Sequence, residues 1–123
     1  MNHQGLRKAV LIVVGLLFLA AAIPLVMFFS KNPTVAMLMS IYVTLGVFLL
    51  LSAGDPMAHR SLISFAGWAN LAHAAVMTVQ AYRHVIESRE LLGVALFAIV
   101  GVALIAITPA KQATRQTSAA RAA

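Results

Sequence analysis

The chain has 123 residues, of which 62% are hydrophobic and 10% charged, with a formal net charge of +6. A soluble domain is about 25% charged, and a small one buries only about two-thirds of its unfolded surface. That much apolar surface excludes a soluble globule and points to an integral membrane protein. The absence of cysteine excludes disulfides, thiolate metal sites and cysteine nucleophiles.

Four apolar stretches follow in order, residues 9–29, 34–53, 61–82 and 91–108. About 20 helical residues cross a hydrocarbon core of about 30 Å, so each can span. Helices are required because lipid leaves no partner for unpaired backbone groups. The expected fold is all-α, an integral membrane four-helix antiparallel bundle. Residues 1–110 form one transmembrane domain with helices at about 6–30, 34–53, 56–88 and 90–108. Residues 111–123 form a basic polar tail, expected to be mobile.

The first stretch has a basic start and the small residues Ala20 and Ala22, as a signal peptide has. Its apolar run continues through residues 23–29, so a retained helix is expected. Pro24 removes one backbone hydrogen bond and predicts a kink. The short link at residues 30–34 makes the first two helices antiparallel neighbours, with Pro33 suited to a first helical turn. Asp55 and Pro56 read as an N-cap and first position, which starts the third helix at 56. Arg83 and Glu87 stand i,i+4 apart, which extends that helix to 88.

The basic residues lie between or beyond the apolar stretches, so they need no nucleic-acid partner. Arg7, Lys8, Arg60, Lys111, Arg115 and Arg121 fall on one side of the membrane, against Lys31, Arg83 and Arg89 on the other. Six against three places both termini in the cytoplasm by the positive-inside rule.

The third helix carries most of the polar side chains. At about 100° per residue, Asn70, His73, Met77 and Gln80 share one face, and His84 projects onto it. Trp68 points the opposite way. Asn70 and His73 fall near mid-span, where an unpaired polar group in hydrocarbon costs several kcal/mol, so the stripe faces protein, water or a ligand. Tyr42, Ser40 and Thr44 of the second helix are available hydrogen-bonding partners. The stripe therefore reads either as interhelical hydrogen bonding or as a binding or conducting site built on His73. His59, Arg60, Trp68 and His84 read as interface anchors. Asp55 and His59 stand close enough to meet.

No apolar span holds Asp, Glu, Lys or Arg. Small multidrug exporters depend on a carboxylate in their first helix, and residues 9–29 have none. The signatures of fluoride channels are missing too. No Ser-His-Asp set, carboxylate pair or phosphate loop is present, so an enzyme is not expected. No metal site is expected, since the spans lack carboxylates and thiolates. Haem is an alternative through His73, but the other histidines sit at or outside the membrane edges, so it would need His73 from two copies or a single ligand. Glycine- and alanine-rich faces on the third and fourth helices allow close helix approach. A homo-oligomer or a larger membrane complex is the expected setting.

"TLGVFLLL" (residues 44–51), "HRSLI" (59–63), Trp68, His73 and "VMTVQA" (76–81) resemble a family of small bacterial four-helix membrane proteins of unknown function, over residues 42–81. The resemblance implies a bacterial inner-membrane protein and marks His59, Arg60, Trp68, His73 and Gln80 as motif positions. The leading functional expectation is a non-enzymatic structural or accessory subunit. The alternative is a small channel, transporter or lipophilic-ligand or haem-binding protein that uses Asn70, His73 and Gln80.

Overall fold

The computed structural model describes residues 2–110, and the tail expected at 111–123 lies outside them. Helix α1 (His3–Leu19) starts at Asn2, whose side chain accepts the Gly5 N–H at 2.6 Å. It runs on into α2 (Ala22–Phe28) through a break at Ala20 and Ala21. Pro24 explains the position of the break. Its ring clashes with the carbonyl four residues back, which is that of Ala20, and it carries no N–H. The kink expected from Pro24 thus falls one turn before it.

Helix α3 (Pro33–Ser52) is capped by Asn32, which accepts the Val35 N–H at 3.2 Å, and begins on Pro33. Helix α4 (Arg60–Tyr82) starts later than 56. Asp55 does act as a cap, but of the turn before the helix: its carboxylate accepts the Ala58 N–H at 3.3 Å. Helix α4 also ends before 88. The His84 N–H bonds to the Ala81 carbonyl at 3.1 Å, and the Val85 N–H reaches back to Gln80 at 2.8 Å. These are the two hydrogen bonds of a Schellman cap. His84 adopts φ 57°, in the left-handed region where glycine is the usual residue. Glu87 then bonds to Arg89 at 2.8 Å, instead of to Arg83 on a continuing helix. A short 3₁₀ turn (Ser88–Glu90) leads into α5 (Leu91–Ile107).

The four segments His3–Phe28, Pro33–Ser52, Arg60–Tyr82 and Ser88–Ile107 are each long and apolar enough to cross a membrane. Only 22–28% of the residues in their apolar windows are buried. The remaining apolar side chains face outward, an arrangement suited to acyl chains. The chain is a small four-helix membrane protein.

Helices α1 and α3 form one closely packed hairpin and α4 and α5 a second. Each hairpin crosses at a glycine pair. A Cβ on Gly46 would lie 2.7 Å from the Gly15 carbonyl oxygen, and one on Gly101 would lie 2.8 Å from that of Gly67. Backbone meets backbone at both crossings, and no larger residue fits there without separating the helices.

Two arginines reach the end of α5, and one of them, Arg7, joins the two hairpins. Arg7 Nε donates to the Ile107 carbonyl at 3.1 Å, and Arg60 Nε donates to the Pro109 carbonyl at 2.9 Å. Both serve the C-terminal end of α5, where carbonyls lack helical partners and the dipole favours a cation.

Candidate functional site

The buried face of α4 consists of Ile63, Ala66, Gly67, Asn70 and Ala74. Asn70 stands at its centre, 1% exposed. Its Nδ2 donates to the Ala66 carbonyl at 2.7 Å, one turn back on the same helix. Its Oδ1 is buried without a hydrogen-bond partner.

His73 sits on the flank of that face, partly buried. Every spanning segment contributes one ring to the cluster around it. Phe18 of α1 meets Tyr42 of α3 edge-on, with centroids 5.2 Å apart at 71°. Tyr42 meets His73 at 5.9 Å and 88°, also edge-on, and Phe97 of α5 at 5.4 Å. His73 and Phe97 are closest, at 4.3 Å. Edge-to-face and offset contacts of this kind contribute about 0.5–1.5 kcal/mol each beyond burial. Tyr42 is at the hub, touching the other three rings, and lies at the middle of α3.

The hydrogen bonding expected between helices takes another form. Ser40 donates to Met37, Thr44 to Ser40 and Thr78 to Ala74, each to a backbone carbonyl of its own helix. Among the described residues, the side-chain hydrogen bond that crosses between helices is that of Arg7 to Ile107, and Arg60 reaches Pro109 just beyond α5. The polar residues of α4 thus hold their place through stacking and local backbone bonds.

The other singled-out residues separate. Met77 packs toward α5, where a Cβ on Gly93 would lie 3.3 Å from its methyl group. Gln80 lies in the last turn of α4, partly buried, and its carbonyl belongs to the Schellman cap. His59 Nδ1 sits 2.9 Å from the Asp55 backbone carbonyl, so the ring donates to the main chain and not to the carboxylate. Arg60 is the cap of α5 described above. Trp68 is 61% exposed and stands three residues from the α4 midpoint, Leu71. At 1.5 Å per residue that is about 5 Å along the helix. His84 is exposed beyond the helix end and has left the polar face.

Phe18 and Phe97 are not among the residues the sequence singles out, and Arg7 stands out there only as a charge, not as a partner of Ile107. Phe97 is the one aromatic residue of α5, and Phe18 the one of α1. A lone ring in an aliphatic span was the available signal.

The family model of DUF6632, described as a family of unknown function, matches residues 6–122. No curated protein matches the chain, and no solved structure does.

Proposed function

The chain belongs to the DUF6632 family, a family of unknown function, and we propose that it acts as a non-enzymatic structural or accessory membrane subunit. It self-associates or docks on a larger membrane complex. The observation that carries this reading is the ring cluster: the one mid-depth histidine is packed against Tyr42 and Phe97. A histidine used for chemistry needs a charged or hydrogen-bonding partner to set its tautomer and proton, and among the described residues His73 meets Tyr42 and Phe97 through ring contacts and makes no side-chain hydrogen bond.

Association is supported by the outer side of α5. Ala98, Ile99, Val102 and Ala103 line a shallow groove of about 440 Å³ there, with Ile99 68% and Val102 59% exposed. Small residues beside branched ones let a second helix approach closely. The resemblance of residues 42–81 to small bacterial membrane proteins supports a bacterial inner membrane, and the six-to-three distribution of basic residues supports cytoplasmic termini.

The test compares His73→Phe with His73→Ala in the purified full chain. Packing alone predicts that Phe keeps the assembly mass and thermal midpoint close to the parent, while Ala lowers stability by about 2 kcal/mol. Proton or solute flux in proteoliposomes that requires His73 and is lost in a folded His73→Phe protein would overturn the reading.

A further inference from the structure

Two guanidinium groups meet where α5 ends. Arg7 Nε donates to the Ile107 carbonyl and Arg60 Nε to the Pro109 carbonyl. The acceptors stand two residues apart, a stretch of at most about 7 Å, so both groups gather at one place. Their base is firm, because Ile107 and Pro109 are buried and proline fixes its own backbone angle. Arg7 lies near the start of the first span, Arg60 starts the third and Ile107 ends the fourth. The pair therefore stands at the edge of the hydrocarbon, where headgroups lie.

A guanidinium carries five N–H donors, and each arginine spends the one at Nε on a carbonyl. Among the described residues, neither makes a second side-chain hydrogen bond or an ion pair. The side-chain polar atom that is sealed there without a partner is Asn70 Oδ1, so the Nη atoms of both arginines open to the surroundings. With Nε engaged, each keeps its planar Nη pair, whose outer N–H groups match two oxygens of one oxyanion. The carboxylates of the chain are used elsewhere. Glu87 pairs with Arg89, and Glu90 lies next to them in the turn that leads into the far end of α5. Asp55 accepts the Ala58 N–H.

We propose that Arg7 and Arg60 together bind the phosphate of an anionic phospholipid. Two unpaired cations select an anion, and their planar forks select an oxyanion. The place selects the lipid over a free ion, since acyl chains hold its phosphate at this level and basic pockets between spanning helices bind phospholipid headgroups. A zwitterionic headgroup brings its own cation to a basic end, so a net-anionic lipid is preferred. Arginine is the residue this arrangement needs. It caps the carbonyl through Nε and keeps its Nη edge for phosphate, whereas a lysine is a single point charge with no second edge. A phosphate held by both arginines bridges α1 and α4, one helix of each hairpin. Such a site is independent of whether the chain assembles with copies or partners.

The experiment titrates the full chain in detergent micelles with phosphatidylglycerol or phosphatidylcholine and counts bound lipids by native mass spectrometry. One phosphatidylglycerol per chain is expected, at least tenfold tighter than phosphatidylcholine and not displaced by excess inorganic phosphate. Arg7→Lys and Arg60→Lys keep the charge and should each weaken phosphatidylglycerol binding tenfold or more at unchanged helix content. Lys8→Gln removes a charge from the exposed neighbour of Arg7 and should weaken it by no more than about fivefold, the effect of one nearby surface charge. If an arginine variant fails to fold, the lipid preference of the parent and the Lys8→Gln result decide. Equal binding of the two lipids, displacement by inorganic phosphate, folded lysine variants that bind as the parent does, or a Lys8→Gln loss of tenfold or more would overturn the proposal.

Discussion

Asn70 has the least satisfied side chain of the buried face. Its Nδ2 bond goes to the Ala66 carbonyl, which already lies in the helical ladder, and its Oδ1 has no partner. A buried polar atom without a partner costs about 1–3 kcal/mol. Asn70→Leu, similar in volume, is therefore expected to leave the thermal or denaturant midpoint unchanged or to raise stability by about 1 kcal/mol. A clear loss of stability would mean that the amide oxygen bonds to something outside the chain. His84 carries a different cost, a non-glycine residue at φ 57°. His84→Gly should stabilise the end of α4 by about 1 kcal/mol, read as slower amide exchange at Arg83 and Val85. The sequence marked Asn70, His73 and Tyr42 as polar groups near the middle of their helices, and the Tyr42 and His73 rings do meet. What it hid is how they are satisfied. Spacing along one helix says which face a side chain takes, and Phe18 and Phe97 reach the cluster only through the rotation of their own helices.

The two hairpins depend on their glycine crossings. Gly101→Ala puts a methyl 2.8 Å from a backbone oxygen and from the Leu71 side chain. The backbone cannot yield, so a loss of about 1–3 kcal/mol is expected. Gly93→Ala is the control on the same helix. Its Cβ would approach only the flexible end of Met77, at 3.3 Å, and alanine favours the helix by about 1 kcal/mol, so stability should hold or rise. A melting series that ranks the two variants in the opposite order would refute this account of the crossings. The spans were visible in the sequence because each is a long uncharged run. Their ends were less visible. The Asp55–Pro56 pair signals a helix start, yet the local turn it caps delays α4 to Arg60. Arg83 and Glu87 have helical spacing, yet the chain turns at His84, where no glycine announces it.

For the molecule as a whole, four outward-facing apolar helices leave the bilayer as the surrounding solvent. Arg7 and Arg60 meet the end of α5, so three of the helices present basic residues or their acceptors at one end of the bundle. That end is the one richer in basic residues by sequence. A reporter fused after Ala123 is expected to be active only in its cytoplasmic form, whereas a periplasmic signal would reverse the orientation.

The Arg7 contact also orders events in time. Its donor and its acceptor lie 100 residues apart. At a synthesis rate of about 5–20 residues per second, the Ile107 carbonyl emerges about 5–20 s after the guanidinium that will cap it. For that interval Arg7 lacks this acceptor. The first helix is thus fastened at its basic end by α5, and a nascent chain cut short before α5 lacks the acceptor on which that fastening depends.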